Sequence, residues 1–158
     1  MKSLPVALAY TLFASTIPAG ASTLYAQPPW VVTFEQAEDG EPMCSIGLIS
    51  PLGFGLSVER RRDAVSVNIL DMEKDYAAAQ QPMWISVGDK TFSWDGTRLG
   101  NVAVTIQDAD NAEVTGMLKA LGTTTTVEIG TSEQPPAQFP SPADNKAKAI
   151  FDICTDLL

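Results

Sequence analysis

"MCSIGLIS", Met43–Ser50, is the stretch on which the fold turns. Cys44, Ile46 and Leu48 fall on one side, and Ser45 and Gly47 on the other. A helix would repeat its apolar residues every three or four positions. A period of two is a strand with one buried face. The same alternation aims the Cys44 thiol into a core.

The neighbouring segments repeat the pattern. "PWVVTFE" (Pro29–Glu35) aligns Trp30, Val32 and Phe34, and "LGFGLSVE" (Leu52–Glu59) aligns Phe54, Leu56 and Val58. "AVSVNIL" (Ala64–Leu70) aligns Val65, Val67 and Ile69 against Ser66 and Asn68. "NVAVTIQ" (Asn101–Gln107) aligns Val102, Val104 and Ile106, and "TTTTVEIG" (Thr123–Gly130) aligns Val127 and Ile129. "MWISVGDKTFSWDG" (Met83–Gly96) reads as a hairpin with its turn at Gly88-Asp89 and a second turn signal at Asp95-Gly96. About eight short strands at regular spacing predict a mainly β fold, an antiparallel β-sandwich or a partly open barrel.

Helical periods occur twice with capping signals. "DNAEVTGMLKALG" (Asp110–Gly122) has Asp110 as N-cap and Glu113 three residues on, a capping box. Val114, Met117, Leu118 and Leu121 form its apolar stripe, and Gly122 stops it. "SPADNKAKAIFDICTDLL" (Ser141–Leu158) offers Ser141 as N-cap, Pro142 at the first helical position, and a stripe of Ala147, Ile150, Phe151, Cys154 and Leu157. "MEKDYAAAQQ" (Met72–Gln81) suggests a further short helix ended by Pro82. "SEQPPAQFPSP" (Ser132–Pro142), with prolines at 135, 136, 140 and 142, reads as a loop or extended crossover.

The first residues have a different character. Lys2 is followed by an uncharged apolar run from Leu4 to Ile17, then Pro18 and the small residues Ala19, Gly20 and Ala21. This is the layout of a secretory leader, with cleavage candidates after Ala21 and after Ala26. The run is shorter than the roughly 20 residues of a membrane span. A buried N-terminal helix or an uncleaved anchor is the alternative. The expected organisation is a leader over 1–26 and one β-rich domain over 27–158, periplasmic or secreted, with no stable membrane span after cleavage.

Export sets the context for the two cysteines, Cys44 and Cys154. An oxidising compartment favours pairing. The chain has no histidine, so a zinc site or an imidazole-activated thiol lacks its usual partners. Ser-His-Asp catalysis is excluded on the same ground. A Cys44–Cys154 bridge tying the terminal helix to the sheet is the expectation, with two free buried thiols as the alternative.

The 158 residues carry 10 basic and 19 acidic side chains, a net charge of −9. Loss of Lys2 with the leader makes that −10. An acidic surface argues against nucleic acid and favours a cationic protein partner. The acidic runs "EQAEDGE" (Glu35–Glu41) and "QDADNAE" (Gln107–Glu113) could hold a hard cation. A turn at Asp39-Gly40 and the helix cap employ them more simply. No metal or cofactor is expected. Arg60, Arg61 and Arg62 form the one basic run, either a solvated hairpin tip or a docking spot for an anion. Trp84, Phe92 and Trp94 are the one aromatic cluster, either core or a binding platform, so Trp84 and Trp94 join the three arginines as candidate partner-binding residues.

The order of features resembles the invasion-associated locus B family of small exported bacterial envelope proteins. A leader precedes the tryptophan-led strand "PWVVTF", the cysteine strand "MCSIGLIS" and the central "GDKTFSWDG". A helix with a strand ("EVTGMLKALGTTTTVEI") and the terminal helix "ADNKAKAIFDIC" follow. The resemblance implies a β-sandwich and a non-catalytic envelope role, and transfers no functional residue. The leader, the expected bridge and the lack of catalytic chemistry make the expected function that of an exported, non-enzymatic binding protein. The first alternative is an acidic inhibitor or immunity protein of a cationic cell-wall-degrading enzyme. The second is a glycan hydrolase working through paired carboxylates.

Overall fold

The computed structural model of the protein describes residues 21–158, apart from 38, 52, 72–79, 124–125, 133 and 141–143. Ten strands form one antiparallel sheet: β1 (Ser22–Gln27), β2 (Trp30–Gln36), β3 (Pro42–Ile49), β4 (Phe54–Arg60), β5 (Ala64–Asp71), β6 (Gln80–Val87), β7 (Lys90–Leu99), β8 (Val102–Asp108), β9 (Thr126–Thr131) and β10 (Gln134–Pro140). Among the described residues two helices accompany them, α1 (Ala112–Leu121) and α2 (Asn145–Thr155). The order across the sheet is β1-β2-β3-β4-β5-β8-β7-β6-β9-β10. The expected helix over Met72–Gln81 lies largely outside the described residues, and its last two positions, Gln80 and Gln81, open β6.

The apolar rows read from the sequence meet in register. Trp30, Leu48, Leu56, Ile69 and Ala103 form one row across β2, β3, β4, β5 and β8. Val32, Ile46, Val58, Val67 and Thr105 form the next. In the other half of the sheet Ile85 is flanked by Phe92 and Ile129, and Val87 lies opposite Val127. Apart from the buried Thr105, these residues form one core cluster, with Phe92 packed against it, so the sheet folds back on its own inner face. Each fully buried Val, Leu or Ile contributes about 1.5–3 kcal/mol. The passage between halves runs through β7, whose Lys90–Thr97 stretch pairs with β6 and whose Thr97–Leu99 end pairs with β8.

Several expectations change. The strands number ten because both edges were hidden: β1 lies within the expected leader, so the sheet starts upstream of Gln27, and β10 lies in the proline-rich stretch. Proline is tolerated at a sheet edge and at a bulge. The β9–β10 register shifts between Gln134 and Ala137, where Pro135 and Pro136 sit. Asp95-Gly96 is not a turn but the middle of β7, and the next chain reversal comes at Gly100, with φ +61°. A Cβ on Gly96 would come within 2.7 Å of the Met83 sulfur, so glycine serves close packing there.

The facing of β8 is the reverse of the expected one. Ala103 and Thr105 point inward, while on the other side Ile106 is 70% exposed and Val104 is nonetheless buried. Seven pairs with β5 set this register. A slip of one residue, which would turn Val102, Val104 and Ile106 inward, would break them all.

Both helices close over the inner face. Helix α1 packs on β6 and β7 and buries Val114, Met117, Leu118 and Leu121, the four stripe residues. Its N-cap is Asn111 rather than Asp110. The Asn111 Oδ1 accepts from the Glu113 and Val114 amides at 3.0 and 3.1 Å, while Asp108 and Asp110 lie in the turn leaving β8.

Helix α2 packs on β1, β2 and β3 and buries Ala147, Phe151 and Cys154. It starts later than expected, capped by Asp144, whose Oδ1 accepts from the Lys146 and Ala147 amides at 3.0 and 3.1 Å. Ser141 and Pro142 lie outside the described residues. Leu157 leaves the apolar stripe because the helix ends at Thr155, and it is 81% exposed. Cys154 is disulfide-bonded to Cys44 across 110 residues, with a Cα–Cα distance of 6.0 Å, inside the usual range. Among the described residues no helix is long and apolar enough to cross a membrane.

Candidate functional site

The five candidate partner-binding residues do not form one site. Arg60 ends β4, Arg61 and Arg62 occupy the β4–β5 turn, and the three differ in what they do. The Arg61 guanidinium lies 3.0 Å from Asp39 and 3.7 Å from Glu41, linking this turn to the β2–β3 hairpin. The Asp39 carboxyl is held below the ordinary range first by the Glu41 amide and also by Arg61. The Arg62 Nε donates to the Leu158 main-chain oxygen at 3.1 Å, fastening the end of the chain. Arg60 shares a cross-strand row with Cys44 and Val65 at the rim of the inner face. Two of the three arginines are therefore structural ties.

The two tryptophans face opposite ways. Trp94 is on the inner side of β7, 8% exposed, stacked on Phe92 with ring centroids 6.3 Å apart. Trp84 is on the outer side of β6, opposite Ser93 on β7 and Gly130 on β9. Its indole lies across Gly130, and a Cβ there would come within 2.9 Å of the indole Nε1 and closer still to ring carbons. A strand glycine often marks such a close approach, so Gly130 was a readable signal for this ring.

Polar side chains surround Trp84. Ser86 and Thr91 share a hydrogen bond of 2.8 Å, and Gln138 donates to the Glu128 carboxylate one strand further out. A half-buried aromatic ring amid hydroxyls, an amide and a carboxylate is suited to recognising an amphipathic or cationic group.

The exterior of β2–β5 carries a second polar surface. Thr33 and Ser45 share a hydrogen bond of 2.6 Å, Ser66 donates to Glu59 at 3.2 Å, and Asn68 donates to Ser57 at 3.1 Å. Glu35 sits at the end of this ladder. Partial burial, then the nearby Glu59 charge, push its carboxyl above the usual range. The Glu59 charge acting on Glu35 is the kind of coupling from which paired-acid chemistry starts. Among the described residues no group of three His, Cys, Asp or Glu side chains is placed to hold a metal ion. Glu38 of the acidic run lies outside those residues.

Composition gave no hint of two further residues. Gln81, 3% exposed on the inner side of β6, has no hydrogen-bond partner for either end of its amide, and the Trp94 Nε1 also lacks one. The two side chains are diagonal neighbours on one face, since Gln81 lies opposite Gly96 and Met83 opposite Trp94. Tyr25, within the expected leader, donates to the Asp144 Oδ2 at 2.5 Å, and its ring lies 5.5 Å from the Lys146 Nζ. No protein family, curated protein or solved structure matches this chain.

Proposed function

We propose that this is an exported envelope protein that works by binding, with the outer face of β6, β7, β9 and β10 around Trp84 as its contact surface. The observation that carries the reading is the Trp84 indole laid across Gly130 on an otherwise polar sheet face. Tryptophan is enriched among residues that dominate interface energies. A net charge of −9 steers cationic partners toward the molecule, and Glu128 supplies a negative charge near the ring. A cationic envelope protein is the partner of choice, and an inhibitor of a basic cell-wall-degrading enzyme is a specific form of this reading. The disulfide supports an oxidising compartment.

The test is capture of envelope proteins by the mature chain at several salt concentrations. Binding that weakens with salt and drops at least tenfold with Trp84→Ala is expected. Salt-independent capture, unchanged by Trp84→Ala, would overturn the reading.

The Glu35–Glu59 pair favours a second reading, carboxylate-based glycan hydrolysis. Turnover of a cell-wall glycan that disappears with Glu35→Gln or Glu59→Gln would replace binding by catalysis.

A further inference from the structure

We infer that the leader is removed by hydrolysis of the Ala21–Ser22 peptide bond, so that the working protein begins at Ser22. The inference rests on export, as proposed above, and adds the processing site. In the sequence Ala21 closes a small-residue pair two apart with Ala19, while Ala26 follows Leu24 and Tyr25 and stands as a second candidate. The structure separates them, because the two bonds lie on opposite sides of almost the whole of β1.

Strand β1 is part of the domain. It pairs with β2 from Ser22 opposite Phe34 to Gln27 opposite Trp30. Its Tyr25 hydroxyl donates to Asp144, the residue that caps α2, and its ring stands beside Lys146 in the first turn of that helix. Tyr25 packs against the core cluster as well. Strand β1 thus joins the sheet edge to the start of the terminal helix. A cut after Ala26 would leave only Gln27 of this strand, discard Tyr25 and make β2 the edge, with its row of backbone donors and acceptors unpaired. A cut after Ala21 keeps every one of these contacts.

The step is an ordinary hydrolysis by a leader peptidase. Water adds its oxygen to the Ala21 carbonyl carbon, the C–N bond breaks, and the protons end on the new Ser22 amine. The leader retains a carboxylate on Ala21, and the mature chain gains an ammonium at the start of β1.

The full chain, without a tag, is produced in a bacterial host with an intact export pathway, and the released protein is weighed intact. A mass beginning at Ser22 is expected. A mass beginning at Gln27 overturns this inference and leaves export standing. A chain that keeps Met1 and stays in the cytoplasm overturns both. Ala21→Leu, which puts a bulky residue in the small-residue position, is expected to make precursor accumulate, and Ala26→Leu is expected to leave the cleavage position unchanged. The opposite pattern overturns the assignment. Exported chains engineered to begin at Ser22 and at Gln27 provide a readout independent of the peptidase: the shorter one should melt several degrees lower, and equal melting would remove the structural argument.

Discussion

Helices α1 and α2 do the same work by different means. Each lays an apolar stripe on the inner face of the sheet, α1 on β6 and β7 and α2 on β1 to β3. Helix α1 follows β8 after a short turn, next to the strands it covers in the order of the sheet. Four buried side chains and the Asn111 cap are the attachments seen for it. Helix α2 follows β10, the far edge, and must cross back to the opposite edge. It is tied at three points: Tyr25 to Asp144 at its start, Cys44 to Cys154 on its buried face, and Arg62 to Leu158 beyond its end. A contact between neighbours in sequence costs little chain entropy to close, whereas one between distant segments costs more, which is where a covalent link has most to offer.

The largest test of this contrast is the bridge. In the chain-entropy view a link closing a loop of about 100 residues is worth about 4.7 kcal/mol. Reduction should therefore lower the denaturation midpoint strongly, with Cys44→Ser and Cys154→Ser behaving alike. Hydrogen exchange should show α2 and β1 losing protection while α1 keeps its own. Uniform loss across both helices would break the contrast.

Next come the buried anchors. Phe151→Ala should cost about 3–5 kcal/mol and Met117→Ala about 2–5 kcal/mol in urea titrations. The contrast sharpens in the reduced protein. There Phe151→Ala should release α2 altogether, whereas Met117→Ala should cost the same with or without the bridge.

The caps are smaller and differ in pH response. Asn111→Ala and Asp144→Ala should each cost about 1 kcal/mol at neutral pH. Partial burial works to raise the Asp144 carboxyl, but hydrogen bonds from Tyr25, Ala147 and Lys146, with the Lys146 charge, outweigh it and hold it below the ordinary range. A folded-state pKa below the unfolded one gives stability that is present above the unfolded value. That stability is lost as pH falls through the folded one. The Asp144 contribution should thus begin to fade in acid below about pH 4 and be gone below its lowered folded value, and the uncharged Asn111 contribution should persist. Tyr25→Phe should move the Asp144 titration, followed by NMR, back toward the ordinary range.

Arg62→Ala should be the mildest, within about 0.5 kcal/mol, loosening the chain after Thr155 without touching α1. A larger loss would mean that the chain end, and not the bridge, holds α2.

The parts of this molecule legible from its sequence are those governed by local period. The α1 stripe and the inward rows of β2 to β5 and β9 follow from spacing, and the bridge from spacing together with an expected oxidising compartment. What escaped depends on pairing partners. Val102, Val104 and Ile106 alternate as well as any inward row, yet lie on the other side of β8 because β5 fixes its register; there Ile106 is exposed, while Val104 is still buried. Asp95-Gly96 has turn composition, but β6 holds it extended. Strand β10 was concealed by its prolines, which an edge or a bulge tolerates, and β1 by its proximity to the expected apolar leader. The site divided in the same way. Arg61 and Arg62 were visible as a charge run, but their acceptors lie 22 and 96 residues away. Trp84 and Trp94 are of one residue type, and only their strand positions put one outside and the other inside.

Strand β7 has a mechanical consequence. The five strands from β5 back to β1 are joined to one another by long ladders, but between β7 and β8 the described residues make only three pairs, Thr97–Val104, Arg98–Ala103 and Leu99–Val102. This is a narrow neck between two broad panels, and the shared interior, more than the backbone ladder, keeps the panels facing each other. If the domain breathes, it should gape first at this neck, like a book opening at a partly stitched spine.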